Sequence, residues 1–351
     1  MRNKRLLTLI GSIFLVLLIT ALPFVTACAE PTPSPTAEPV ELKMSHFMSP
    51  KHVQHADVME PFAKEVEQAT DGRVKITIYP GGALGKPPEQ YDTAVTGITD
   101  IAFGLHCYTP GKFPLTSVLE LPFMVTSAEA GSHVFWDLYE KFPEIAAEYP
   151  GVKILWLWTH DTGQLLTNKP IRSMDDLKGM KLRCPGAYQK AAIEAWGAIP
   201  VMMPISELYD SLQKGVVDGT VIPLSAIYDF NLYDVAKYVT IGDFYVCTFF
   251  MVMNSDSWNK ISLKDREIIE GLIGKRMSDK AGAVYDAGVE LGIQACEEAG
   301  VEIYTLTPDE LAEWKEALAP LHEQWITDIE AKGFPGEKIY NEAVKLAAKY
   351  K

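Results

Sequence analysis

The chain has 351 residues, 48% of them hydrophobic and 22% charged, with 46 acidic against 32 basic side chains and a formal net charge of −14. That length can bury the cores of two ordinary domains without covalent staples, and so acidic a chain repels phosphate backbones, which excludes nucleic acid as a partner. Its five cysteines are far apart in sequence, which excludes a zinc ribbon or a Cys-x-x-Cys redox motif.

At the N-terminus Arg2, Lys4 and Arg5 precede an apolar run from Leu6 to Val25, the layout of a secretory signal. The run is about long enough to span a bilayer, so a retained anchor is a competing reading, and ordinary soluble export is a third. Pro23 interrupts the run, and Val25-Thr26-Ala27-Cys28 has the form of a lipoprotein cleavage site. The prediction is a signal over 1–27 and a lipid on Cys28, placing the protein outside the cytoplasmic membrane or in the periplasm. Ala29 to Glu38 holds three prolines and no large apolar side chain, so residues 28–40 are expected to be an extended tether. Past the signal, 29 basic residues face 46 acidic ones, which reads as a solubilising surface.

Strand and helix patterns then alternate. Leu42–Ser45 reads as a short strand, and Val58, Phe62, Val66 and Ala69 share one helical face that Gly72 stops; Pro61 kinks or begins that helix. Val74, Ile76 and Ile78 alternate with Lys75 and Thr77 as a half-buried strand. Further strands are expected at 100–104, 152–156, 180–183 and 216–221, with a helix at 206–214. Helical signal runs from Ser262, an N-cap candidate, to Gly300. Five glycines weaken it (Gly271, Gly274, Gly282, Gly288, Gly292), so it is either two helices or one long element in which glycines admit close packing. The alternation implies an α/β fold with parallel or mixed sheets.

Five segments in order resemble the solute-binding proteins of TRAP (tripartite ATP-independent periplasmic) transporters, DctP type. They are Gly72–Gly85, Leu119–Phe123, Asp176–Arg183, Glu207–Gly219 and Tyr233–Thr240. The resemblance spans Glu41 to the C-terminus. It implies a two-domain periplasmic-binding-protein (type II-like) fold with mixed sheets and a long helix across both domains, which favours the unbroken reading of 262–300. The implied domains are 41–160 plus about 250–288, and 161–249 plus about 289–351. The implied partners are a small organic acid, the membrane subunits of a TRAP transporter, and the membrane itself through Cys28.

Arg183, at the end of a predicted strand before Pro185, matches the family's carboxylate-binding arginine. Its planar fork suits two carboxylate oxygens. Many members carry a second arginine twenty positions earlier, where this chain has Gly163. The frequent Gly-x-Glu-Asn-Pro becomes Gly219-Thr220-Val221-Ile222-Pro223, and Leu105 stands where sialate binders have an acid. One positive charge among apolar neighbours suits a hydrophobic or aromatic monocarboxylate. Trp158, Tyr188, Tyr228 and Phe249 are candidate walls, each equally readable as a core aromatic. His46 is a candidate polar contact or a capping residue, with His160 and Gln164 as lesser candidates; His52 and His106 read as solvated loop positions. No Gly-x-Ser-x-Gly, His-Glu-x-x-His or glycine-rich phosphate loop occurs, so no enzyme activity, metal or cofactor is expected. An exported hydrolase with scattered catalytic residues and a ligand-presenting sensor accessory are the rival readings.

Overall fold

The computed structural model describes residues 38–351. The expected signal, Cys28 and the tether up to residue 37 lie outside the described residues. Two mixed sheets form the frame. The first has the order β2-β1-β3-β10-β4, built from β1 (Val40–Ser45), β2 (Val74–Tyr79), β3 (Ile101–Leu105), β4 (Val152–Thr159) and β10 (Thr248–Asn254). Here β1 runs parallel to β2 and β3, while β10 is antiparallel to β3 and β4. The second has the order β11-β9-β5-β8-β6-β7, from β5 (Gly163–Thr167), β6 (Lys181–Cys184), β7 (Ile199–Met202), β8 (Gly219–Pro223), β9 (Tyr238–Ile241) and β11 (Glu302–Thr305). The chain crosses between sheets at 160–162 and again at 242–247.

The period of two along β10 explains why it sits inside the first sheet. Phe249, Met251 and Met253 face one core, and Phe250 and Val252 the other. On the first face helix α1 (Glu60–Ala69) sets Phe62 edge-on to Trp156 at 5.0 Å. Pro61 lies inside a continuous helical run, just where a wide π turn over Gln54–Met59 passes into α1. On the other face lies helix α2 (Ala128–Lys141). In the second sheet, helix α3 (Ala187–Ala195) follows β6. The helix expected at 206–214 is a 3₁₀ turn over Ile205–Glu207 running into α4 (Leu208–Gln213), closed by Gly215 at φ 67°. The strand expected from Val216 runs over Gly219–Pro223, and Asp218 just before it already donates its amide to the Lys181 carbonyl at 2.7 Å and accepts from the Lys181 amide through its carboxylate at 2.8 Å. Helix α5 (Leu224–Asp229) springs directly from β8.

The unbroken 262–300 helix does not form. Helix α6 (Leu263–Glu270) ends at Gly271, and α7 (Lys275–Glu298) starts after Gly274, whose φ of 77° suits glycine and whose N–H donates to the Leu155 carbonyl at 2.7 Å. Helix α7 still spans ~36 Å at about 1.5 Å per residue, and it packs on both α2 and α5. Small residues let it approach: a Cβ on Gly282 would stand 2.8 Å from the Ala128 carbonyl, and one on Gly292 would collide with the Leu224 carbonyl. The tail divides where the expected second domain kept it whole. Trp314 packs on Trp196 and Phe244 beside the second sheet, whereas Trp325 donates to Ser117 Oγ at 2.9 Å and the last helix, α8 (Gly336–Lys349), lies on α2. The amphipathic face of α8 (Ile339, Ala343, Leu346) has its apolar counterpart on α2, which explains the return. Among the described residues, no helix is long and apolar enough to cross a membrane.

Candidate functional site

Strand β6 alternates Leu182 into the core and Arg183 to the opposite side, between β7 and β8. Arg183 is 3% exposed. Its Nε donates to the Met203 carbonyl at 2.9 Å and its Nη2 to the Tyr108 hydroxyl at 3.2 Å. No carboxylate lies within ion-pair distance of it among the described residues. Tyr108 follows the end of β3 and so reaches Arg183 from the first sheet. Its oxygen also accepts from the Ile205 amide at 2.9 Å. Burial pushes the phenol up to about 12 against the pull of Arg183, so it keeps its proton, and with both lone pairs engaged that O–H is free to donate.

Arg183 and Tyr108 open onto a cavity between the two sheets' ends. Met48, Leu105 and Phe249 line it from the first sheet, Ile222, Pro223 and Ala226 from β8 and α5, and Tyr245 and Tyr285 from the second crossing and α7. The walls are mostly apolar around one guanidinium. At Gly163, where the resemblance implies a second arginine in many members, a Cβ would stand 2.6 Å from Tyr245 Cε1. The ring of Tyr245 occupies that space, and its hydroxyl donates to the Val221 carbonyl at 2.8 Å.

Of the residues anticipated from sequence, Arg183 and Phe249 line the cavity, as does His160. The others do not. His46 is buried behind β1, accepting from the Met48 amide and paired through Nε2 with His55 Nδ1 at 2.8 Å. Trp158 stacks behind Phe249 at 5.3 Å and 15°. Gln164 pins the crossing, donating to Asp243 Oδ1 at 2.7 Å and accepting from the Gly242 and Asp243 amides. Tyr188 sits on α3 against Ser117, and Tyr228 is exposed on α5. His160 accepts from the Cys247 amide at 2.9 Å through Nε2 and uses Nδ1–H on the Asp161 carbonyl. Burial lowers it to about 4, so it is neutral with both nitrogens occupied, and offers the cavity only its ring.

Two histidines read as solvated are buried. His106 meets the Tyr149 hydroxyl at 2.7 Å. His52 lines the cavity; its Nδ1 accepts from the Gln54 amide at 3.1 Å, and its Nε2 lies 3.2 Å from Asp229 Oδ2. Burial, with His46 and His55 nearby, lowers His52 to about 3, and burial raises Asp229 to about 7 despite the Val53 amide. Sequence reasoning also missed Tyr108, Tyr245 and Tyr285. Tyr108 alone left a signal, three residues past a strand end on the side where α/β ligand crevices lie.

Cys107 and Cys247, distant in sequence, meet with sulfurs 3.8 Å apart beside Glu120, all three buried. They are the donors a metal ion could use. Burial raises both thiols, and raises Glu120 to about 7 while it accepts from Thr248. Cys184 and Cys296 are buried free thiols.

Comparison with known proteins places this geometry. Residues 44–328 match the family described as bacterial extracellular solute-binding protein, family 7 (DctP). The C4-dicarboxylate-binding periplasmic protein DctP of Rhodobacter capsulatus is 28% identical over 299 residues, covering 84% of this chain and 89% of the relative. A TRAP solute-binding protein from Rhodoferax ferrireducens, solved with copurified benzoate, is similar at TM-score 0.85 and 31% identity, covering 88% of this chain and 98% of that one. A marine-metagenome TRAP solute-binding protein specific for aromatic acids, solved with 3-hydroxybenzoate, is similar at TM-score 0.86 and 31% identity over 90% and 100% of the two chains. The chain belongs to the DctP family of extracytoplasmic TRAP solute-binding proteins, which bind and hand over solutes rather than transform them.

Proposed function

We propose that this protein captures a hydrophobic, aromatic monocarboxylate and delivers it to the membrane subunits of a TRAP-type secondary transporter. The observation that carries the reading is Arg183: a buried guanidinium without a carboxylate partner among the described residues, facing apolar walls. A charge so placed is costly unless an anion joins it, and the fork of Nη1 and Nη2 fits two carboxylate oxygens. Phe249, held flat by Trp158, and the ring of Tyr245 would cover the ligand's apolar body. The benzoate and 3-hydroxybenzoate found in the two similar structures are ligands of this kind.

The ligand sits between two lobes in this reading. One is built on the first sheet, 41–160 with about 250–288 and the returning tail. The other is built on the second sheet, 161–249 with about 289–318. Tyr108 contacting Arg183 and Ile205 is then a closure contact between lobes. A lipid on Cys28 would hold the protein beside its transporter. The test is a calorimetric and thermal-shift panel of benzoate, phenylacetate, succinate, malate and glucuronate. Stabilisation by the aromatic acids is the expected result; stabilisation by dicarboxylates alone overturns the reading.

A further inference from the structure

Leu105 pairs with Phe249 at the end of the antiparallel β3–β10 ladder, and continuing that register by two residues sets Cys107 opposite Cys247. Their sulfurs stand 3.8 Å apart. Two thiolates on one tetrahedral Zn²⁺, at about 2.3 Å each, are separated by about 3.8 Å. The Glu120 carboxylate completes a set whose donor atoms all lie within 4.8 Å of one another. Its Oε1 accepts from the Thr248 amide and hydroxyl at 3.2 and 2.9 Å, which orients the group, and among the described residues its Oε2 makes no hydrogen bond. Helix α3 adds Gln189, which is 3% exposed with both amide atoms buried and unpartnered. A native buried amide is rarely left so. It reaches the same cluster: a Cβ on Gly186 would stand 2.6 Å from Cys107 Cβ and 3.1 Å from Gln189 Oε1, and Gln189 and Glu120 line one small cavity.

We propose that Cys107, Cys247 and Glu120, with the Gln189 side-chain oxygen closing a tetrahedron, bind a thiophilic divalent cation of the zinc class. Two sulfurs already at the tetrahedral edge length select a soft, four-coordinate ion over the hard, oxygen-preferring Ca²⁺ and Mg²⁺. Each sulfur binds as a thiolate, so its proton leaves to solvent, and the dication offsets the buried negative charge that results. The nearby Arg183 guanidinium also favours the thiolates. Cys107 and Glu120 line a cavity that reaches the exposed Lys332, which gives an ion a way in. The bound ion ties the end of β3, the second crossing and α3 together behind the ligand cavity, which Cys247 lines. No short cysteine spacing marks such a site in the sequence, because 140 residues separate its two sulfurs. The site is independent of which acid the cavity takes.

The test uses the reduced full chain carrying Cys28→Ser, in which only the four buried cysteines remain, after stripping with a chelator. Calorimetric titration with zinc chloride is expected to show one ion bound per chain. The thermal midpoint is expected to rise with Zn²⁺ and to fall back when chelator is added. Co²⁺, a spectroscopic substitute, is expected to give a thiolate-to-metal charge-transfer band in the near ultraviolet and tetrahedral bands in the visible. Cys107→Ser and Cys247→Ser, each checked for folding by its metal-free thermal midpoint, are expected to lose the ion and the band, whereas Cys296→Ser keeps both. A reduced, folded protein that binds no Zn²⁺ overturns the site. So does Co²⁺ bound without the charge-transfer band, which marks surface carboxylates only, or a band that survives in both cysteine variants. A Cys107–Cys247 disulfide found by peptide mapping of protein isolated without reductant also overturns it, putting a covalent clasp in the ion's place.

Discussion

Replacing Arg183 with alanine removes the single charge on which ligand capture is proposed to depend. Of the guanidinium's N–H groups, Nε is spent on Met203 and one Nη2 proton on Tyr108. Both Nη1 protons and the other Nη2 proton remain for a bidentate carboxylate. Alanine deletes those charge-assisted bonds and leaves the bound carboxylate beside neutral groups in a mostly apolar cavity. The expected loss is about 2–5 kcal/mol, or roughly 30- to several-thousand-fold in Kd. Arg183→Lys keeps the charge but not the fork, so its loss should be intermediate. Calorimetric titration with benzoate measures both, and the thermal midpoint of each unliganded variant confirms folding. A folded alanine variant binding within 3-fold of wild type would refute the reasoning, because no other side chain lining the cavity carries a fixed positive charge.

Glu120 provides a test of the buried acids. Burial raises it to about 7, so the folded protein keeps a proton that the unfolded chain releases near 4.5. Its contribution to stability is therefore full below 4.5 and is lost as pH rises to about 7. Relative to Glu120→Gln, which imitates the protonated acid, wild type should lose up to ~3 kcal/mol between pH 4 and pH 8; a denaturant-unfolding difference independent of pH contradicts this. Gly292→Ala tests the packing of α7. Helix propensity alone predicts a gain of about 1 kcal/mol, whereas collision with the Leu224 carbonyl predicts a loss of about 1–3 kcal/mol, so the sign of the change in thermal midpoint decides. Cys28→Ser should move the protein from the membrane fraction to the soluble fraction; wild type found wholly soluble argues against an anchor.

Arg183 was singled out by resemblance, as the position that matches the family's carboxylate-binding arginine, and it does line the cavity. Phe249 was one of four aromatic candidates, each equally readable as core, and is the one of the four that lines the cavity. What was not legible depended on partners distant in the chain. His52 and His106 look solvated until Asp229, 177 residues on, and Tyr149, 43 residues on, receive them. Trp158 and Phe249 carry the same aromatic signal, yet on adjacent strands one becomes wall and the other backing. The break at Gly274 was equally hidden. Five glycines shared the segment, and what distinguishes this one is a hydrogen bond to Leu155, more than a hundred residues away. Gln164 was anticipated as a ligand contact because the crossing faces the cleft; its amide is consumed in holding Asp243 at φ 51°.

On the proposed reading, the Gly163–Tyr245 pairing, at a position where the resemblance implies an arginine in many members, sets this chain apart from a dicarboxylate binder. Gly163 and Tyr245 act as one unit, since the glycine has no Cβ where the tyrosine ring lies. A side chain at 163 would displace the ring, and the ring excludes a second guanidinium from that place. A second ligand carboxylate would thus lose its water against an aromatic face, gaining no countercharge. The buried-ion penalty is several kcal/mol even after relaxation, enough to cancel the attraction of the first carboxylate for Arg183. An aromatic body pays no such penalty, because it exchanges water for the faces of Tyr245 and Phe249. On the proposed reading, the pairing that leaves no place for a second countercharge also offers a ring, so exchanging this one pair of residues should shift selectivity between the two ligand classes.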